Sequence, residues 1–262
     1  MLLGAHVPSN DPLSAAQARS CDGVVQIFAS SPRQWRPPKR LELDEMHAAG
    51  YTVVLHAPYL INLASPTPEV RSKSIALLQA TLEAAADAGA AGVVVHGGQA
   101  GADEPQGAGF ARWREALARL TGKVPVWVEN TATGKNACAR TIEQIAQLWS
   151  DAVPYSQVPV GFCFDTCHGH AGDARTMTTA GMARLVGITG GVDLLHINDS
   201  LDTADAGRDR HASIGAGQIE LAPTLRETIE AAGAPLAVVE TPGGADGQAR
   251  DILTLRKILS LP

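Results

Sequence analysis

Eight short apolar runs, separated by longer amphipathic or turn-forming stretches, restrict the fold of this chain more than any other feature. They are Leu2–His6, Val24–Phe28, Thr52–His56, Gly92–His96, Val124–Glu129, Val160–Asp165, Val192–Ile197 and Leu236–Glu240. Helical periodicity fills intervals such as Pro68–Ala88, Phe110–Leu120, Thr141–Trp149, Leu221–Ala232 and Ala249–Leu259. Turn pairs such as Ala88-Gly89, Gly190-Gly191 and Ala232-Gly233 stand ahead of strands. Strand–helix alternation of this kind predicts βα units and a parallel sheet. Eight such units without a Gly/Ser linker or a break in composition predict one closed (β/α)8 TIM barrel over residues 1–262, a single catalytic domain. A doubly wound open α/β sheet is the alternative. The 262 residues suit a barrel, and 45% apolar with 18% charged residues can bury a large core.

The ends of these runs carry the chemistry. They reach His6, His56, His96, Glu129, Asp165, His196 and Glu240, so seven of eight strands finish on His, Asp or Glu. The chain holds only 8 His and 27 acidic residues, too few to produce this by chance. In a barrel all C-terminal strand ends converge on one mouth, where barrel active sites sit. Carboxylates crowded there would repel and desolvate at high cost unless cations compensate them. Two loops extend the set: Asp165-Thr166-Cys167-His168 places an Asp and a His three apart, and Asp209 alternates with His211 after His196. In an extended loop, alternate side chains face the same way. Imidazole with carboxylate suits zinc, with manganese or iron as competitors, and the absence of a Cys cluster favours a catalytic over a structural site.

Other polar residues read differently. His6 lacks a matching ligand motif and is expected to hydrogen-bond at the mouth. His47, on an apparent helix, and His170, beside glycine in a loop, are expected to face solvent. Cys21, Cys138, Cys163 and Cys167 form no C-x-x-C pair and are expected as reduced, half-buried thiols, with a disulfide or zinc as alternatives. The opening MLLGAHVPSN lacks the basic lead and apolar run of a signal peptide, and nothing approaches the roughly 18 apolar residues of a membrane span. A cytoplasmic protein without a membrane partner is expected. The formal charge of −6 stands at face value against a nucleic-acid partner.

The motifs HAPYLINLAS (56–65), VENTA (128–132), FDTCH (164–168), HINDS (196–200) and GRDRHASIGAGQI (207–219) resemble endonuclease IV, the barrel-type apurinic/apyrimidinic endonuclease of the xylose isomerase-like superfamily. The resemblance runs from the GAHV segment at Gly4 to Glu240-Thr241-Pro242. It implies three divalent metal ions, usually zinc, on nine ligands. His56 and His96 would bind the first ion and Glu129 would bridge it to the second; Asp165, His196 and Glu240 would complete the second; His168, Asp209 and His211 would hold the third. The sequence departs at Gly97-Gly98-Gln99, Leu201 and Ala216, where many members have Pro-Gly-Ser, Lys and Glu, but every ligand position is filled.

The resemblance further implies hydrolysis of the phosphodiester 5′ to an abasic site in duplex DNA, leaving a 3′-hydroxyl and a 5′-deoxyribose phosphate, together with trimming of blocked 3′ ends. Glu129 and Glu240 would be the catalytic carboxylates, with Glu240 orienting or deprotonating the attacking water. Three divalent ions would cancel the −6, leaving the mouth attractive to phosphate. Arg33, Arg36, Lys39 and Arg40 cluster after the second strand and could contact the DNA backbone. Arg33, Gln34, Tyr59 and Leu60 match segments that open the duplex, while Trp35 is expected to pack. The chain is expected to act as a monomer needing no protein partner. The competing readings are a metal-dependent sugar isomerase or epimerase of the same superfamily, which uses fewer metals, and a non-catalytic metal- or DNA-binding protein.

Overall fold

The computed structural model describes residues 1–105 and 107–261. Eight parallel strands close into a barrel: β1 (Leu2–His6), β2 (Val24–Phe28), β3 (Thr52–His56), β4 (Val93–His96), β5 (Val126–Glu129), β6 (Val160–Asp165), β7 (Leu194–His196) and β10 (Leu236–Val239). The ring runs β1-β10-β7-β6-β5-β4-β3-β2, so chain neighbours are sheet neighbours throughout. The open-sheet alternative is thereby set aside. A small antiparallel pair, β8 (Asp199–Ser200) and β9 (His211–Ala212), projects from the mouth between β7 and β10.

Alternation along the strands sorts the side chains. Leu3, Ala5, Val25, Ile27, Val53, Leu55, Val93, Val95, Phe162 and Phe164 face outward into one core beneath the helices. Val24, Val54, Val94, Trp127, Cys163, Leu194 and Val238 form a separate cluster inside the barrel. Because alternate residues share a face, the inward position two residues further along falls on His56, His96, Glu129, Asp165, His196 and Glu240. The metal-ligating side chains expected from the sequence are therefore the next layer above a dry plug. Gly4 lets β1 approach β2, since a Cβ there would collide with the Val24 carbonyl.

The helices follow local sequence rules. The 20-residue α3 (Pro68–Asp87) starts with proline in its first turn, and α5 (Ile142–Asp151) opens on a Thr141–Gln144 capping box. α7 (Thr179–Thr189) ends at Gly190 in the left-handed region. Several bounds shift from the sequence reading: α4 covers Gly107–Leu117, α8 only Arg226–Ala232 after a kinked turn at Leu221–Leu225, and α9 starts at Gly244 and runs to Ile258. The short α1 (Pro12–Ala18), α2 (Asp44–Ala48) and α6 (Thr166–Gly172) complete the set. Among the described residues no helix is long and apolar enough to cross a membrane.

Candidate metal centre

The nine candidate ligands come together at the C-terminal mouth in adjoining groups. His56, His96 and Glu129 form one; Glu129, Asp165, His196 and Glu240 a second; His168, Asp209 and His211 a third. Asp165 and His211 also lie together with Cys167. Within each group the donor atoms lie within 4.8 Å of one another. Strand register sets the neighbours: His96 stands level with Glu129, and Asp165 with His196. Asp165 ends β6 and caps α6, its Oδ1 accepting from the His168 amide at 2.8 Å. That cap is why an Asp and a His three apart reach one mouth.

Glu129 is the hub. It is fully buried, and three imidazoles point at it, His56 Nε2 (3.3 Å) and His96 Nε2 (3.1 Å) at Oε2 and His196 Nδ1 (2.9 Å) at Oε1, while the His168 ring lies beside it with Nδ1 3.4 Å from Oε1. Burial opposes its ionisation, but His96, His196 and His168 outweigh burial and hold the carboxyl well below the usual range. Glu240 is likewise held low against burial, by His196 and His6. Burial lowers the imidazole of His56. At His168 burial is overcome by Asp165, Asp209 and Glu129, and at His196 by Cys163, Glu240 and Glu129, so both rise well above the ordinary imidazole value. His211 rises to about 9, burial being outweighed by Asp165 and Asp209. Asp209 falls far below its ordinary value against burial, through His168 and His211. Carboxylates and imidazoles this close, in water-poor surroundings, suit a cation shared among them. The buried His211 Nε2 has no hydrogen-bond partner while facing Asp209 Oδ1 at 3.2 Å. The donor set fits divalent ions.

Asp209 and His211 ride on the β8–β9 hairpin, which side chains hold in place. Asp199 is fully buried and accepts four backbone N–H groups: Ser200 (2.7 Å) and Ile219 (2.9 Å) on Oδ1, Gly215 (3.0 Å) and Gly217 (3.0 Å) on Oδ2. Gly217 is needed for that approach, because a Cβ there would collide with Asp199 and the Ser200 carbonyl. On the other side Arg210 makes a two-pronged pair with Asp202, with Nε donating at 2.7 Å.

The DNA-facing candidates gather beside this centre. The Tyr59 amide donates to the Pro32 carbonyl at 3.0 Å, joining the β3 loop to the Arg33–Trp35 segment. The Tyr59 ring, 48% exposed, packs edge-on to His56 (5.4 Å) and tilted to His96 (5.5 Å). Leu60 is half-buried, and Arg33 and Gln34 are exposed. Gln34, Arg36 and Lys39 line a cavity of about 790 Å3 that reaches His6. Trp35, expected to pack, is 38% exposed.

Other expectations divide. His6 hydrogen-bonds at the mouth, its Nδ1 3.0 Å from Glu240 Oε1. His47 is an exposed residue of α2. His170 contradicts its reading: it lies within α6 and is buried, because the 201–210 loop folds over that helix through Asp205 and Gly207 amides to the His170 and Ala171 carbonyls. All four cysteines are free thiols, but Cys138, Cys163 and Cys167 are fully buried rather than half-buried. The sequence reading missed Gln26, Asn130, Asn198 and Asp199. Asn130 pairs with the Asp165 backbone through both amide atoms, and Asn198 Nδ2 donates to Asp165 Oδ2 at 2.7 Å. Both asparagines lie inside the quoted VENTA and HINDS motifs, and a polar Gln in the apolar run VVQIF was the signal for Gln26.

Comparisons with known proteins agree with this architecture. Residues 13–258 match the model of the xylose isomerase-like TIM barrel family. The chain is 47% identical to the protein named Probable endonuclease 4 in Mycobacterium marinum, over 99% of this chain and 100% of that one. It is 48% identical to the protein of that name in Mycobacterium tuberculosis, over 98% of each. The solved structure of endonuclease IV from Thermus thermophilus superposes with a TM-score of 0.82 at 28% identity, covering 100% of both chains. A D-tagatose 3-epimerase-like protein shares the fold at 20% identity and a TM-score of 0.74. The chain belongs to the endonuclease IV family of xylose isomerase-like TIM barrels.

Proposed function

We propose that this protein is a DNA-repair endonuclease that hydrolyses the phosphodiester 5′ to abasic sites in duplex DNA and also trims blocked 3′ ends. The observation that carries the reading is the meeting of nine His, Asp and Glu side chains in three adjoining groups around buried Glu129. His56, His96 and Glu129 would hold one divalent ion, Glu129, Asp165, His196 and Glu240 a second, and His168, Asp209 and His211 a third, zinc being the metal that suits these donors. Such ions supply a lowered pKa for water, screening of the phosphate and stabilisation of the departing oxygen.

The chain's own residues divide the remaining work. Glu240, partly open to the mouth, orients the attacking water and takes its proton on the carboxylate. Glu129 stays ionised among four imidazoles and joins the first two groups. Tyr59 and Leu60, with Arg33 and Gln34, hold the duplex open over the centre, where extrusion costs least at a missing base. Arg36 and Lys39 add backbone contacts that offset the formal charge of −6. The third group is one that a sugar isomerase with fewer metals does not need. In this reading residues 1–262 are a single catalytic domain acting in the cytoplasm as a monomer, with no protein partner.

The test is a duplex carrying one tetrahydrofuran abasic analogue. We expect incision on its 5′ side with a 3′-hydroxyl product, abolished by chelation, from protein that holds about three divalent ions per chain on elemental analysis. Action on free ketoses without action on DNA would sink the proposal, as would one ion or fewer after gentle purification.

A further inference from the structure

Each imidazole around the centre has a nitrogen facing the other candidate ligands, and four of them have the second nitrogen held from behind. His56 Nδ1 donates to the Ala57 carbonyl at 2.7 Å, and His168 Nδ1 to the Asn130 carbonyl at 2.8 Å. His211 Nδ1 lies 3.4 Å from the Glu240 carbonyl. A backbone carbonyl can only accept, so these contacts fix the tautomer and no substitution can delete them. His196 differs: its Nε2 is held by a side chain, with Gln26 Oε1 at 2.9 Å. That leaves His196 Nδ1 facing Glu129 Oε1 at 2.9 Å and Glu240 Oε2 at 3.3 Å.

Gln26 sits in β2, whose last residue, Phe28, offers no ligand, and it is fully buried. Its amide has only one orientation that satisfies its neighbours. Glu240 Oε1, 2.7 Å from Gln26 Nε2, is a carboxylate oxygen and must be met by an N–H. The carbonyl of Gln26 then faces His196, whose Nε2 must carry the proton. Gln26 Nε2 also lies 3.0 Å from His6 Nδ1. One uncharged side chain therefore sets a tautomer, pins a carboxylate and reaches a third polar residue.

We infer that Gln26 is a positioning residue: it fixes His196 with Nδ1 toward Glu129, Asp165 and Glu240, and holds the Glu240 carboxylate in place for the attacking water. The inference rests on the metal reading of that group. Groups behind a ligating imidazole orient the ring and raise its basicity, and losing one typically costs about 10–100-fold in metal affinity or activity. If Gln26 merely filled space, an apolar residue of similar size would serve as well or better, because burying an amide has a desolvation cost.

The experiment compares the wild-type chain with Gln26→Met, Gln26→Leu and Gln26→Glu, measuring zinc retained against a competing chelator, kcat and KM on the abasic duplex, and melting of the chelated proteins. When metal-free, the apolar variants should melt below the wild type, because buried His196 Nε2–H and Glu240 Oε1 each lose a partner. They should also release about one zinc per chain at about 10–100-fold lower chelator, with kcat falling in step and KM little changed. Gln26→Glu keeps an acceptor for His196 Nε2 but loses the N–H to Glu240 Oε1 and sets a second carboxylate against it, so its kcat should also fall. Wild-type zinc retention and kcat in Gln26→Met or Gln26→Leu would overturn the inference, and so would wild-type kcat in Gln26→Glu. A wild-type chain that neither retains zinc nor incises would overturn the reading of the centre, and this inference with it.

Discussion

The centre is built by two regions that work differently, the barrel rim and the β8–β9 hairpin. His56, His96, Glu129, Asp165 and His196 are last residues of strands, and Glu240 follows one. Their backbones are held by the parallel ladder, so side chains such as Gln26 adjust ring and carboxylate orientation but not where the residues stand. Asp209 and His211 belong to a hairpin of two-residue strands, whose place depends on Asp199 and Asp202. Asp209 is also the most open of the nine, with 46% of its side chain exposed. Electrostatics does not follow that line: burial lowers His56 on the rim, whereas His196 on the rim is raised, as is His211 on the hairpin, to about 9. Precision spread over a closed barrel resists point changes. Precision resting on one buried carboxylate does not.

The largest expected effect lies on the rim. Glu240→Gln keeps the size of the side chain but removes the negative charge and the proton acceptor. Single-turnover incision of the abasic duplex should fall by at least about 100-fold, within the range of lost general-base help. Gel-shift affinity should survive, because the other eight candidate ligands and the phosphate contacts remain. Incision within about tenfold of wild type would remove Glu240 from the chemistry.

The hairpin should fail in another way. Asp199→Asn turns an NH2 group toward backbone N–H donors in a fully buried site. Leaving buried donors unpaired costs about 1–3 kcal/mol each, and Gly217→Ala should act in the same direction by steric pressure alone. Both variants should lose about one divalent ion per chain on elemental analysis while the rim groups keep theirs. Loss of all metal at once, or of none, would break the contrast between rim and hairpin.

The same contrast explains what could be read in the sequence. The barrel was legible because eight apolar runs and their spacing are local properties, and the rim candidates because seven of the eight runs reach His, Asp or Glu. Asp209 and His211 were visible as an alternating pair. Their support was not, since Asp199 acts through backbone amides up to 20 residues away. Gln26 was hidden by its strand: a single amide in VVQIF shows its use only when β1, β7 and β10 bring His6, His196 and Glu240 around it. His170 was misread because a glycine neighbour suggested a loop, whereas the Asp165 cap starts a helix there.

A rim residue that faces the substrate rather than the ions should give a smaller effect. The Tyr59 ring lies over His56 and His96 with about half its surface open. Tyr59→Ala removes the ring and leaves every candidate ligand. We expect a loss of about 1–3 kcal/mol in preference for abasic over intact duplex, the range measured for stacking side chains on bases. Removal of a 3′-terminal phosphate, which needs no opened helix, should change less. Unaltered discrimination would return Tyr59 to packing.

The smallest expected effect, a shift in stability with pH, isolates the contribution of the hairpin imidazole His211. In the metal-free chain His211 titrates near 9 instead of 6.5, because Asp165 and Asp209 outweigh burial. A group whose pKa is raised on folding stabilises the native state fully below the unfolded value, and that stability is lost as pH rises through the folded value. The chelated protein should therefore melt at lower temperature at pH 9.5 than at pH 7, by about 2–4 °C for each kcal/mol lost at this chain length. The dependence should be weaker in His211→Gln. Metal acts in the opposite sense, since an ion needs the neutral imidazole and competes with the proton, so occupancy at the hairpin should climb over the same interval. His56, whose pKa is lowered, does not add to this loss, whereas His168 and His196, also raised, act in the same sense and keep part of the dependence in His211→Gln. Melting that is flat across that range, or equally steep in His211→Gln, would mean that the hairpin imidazole is not the group that carries the difference.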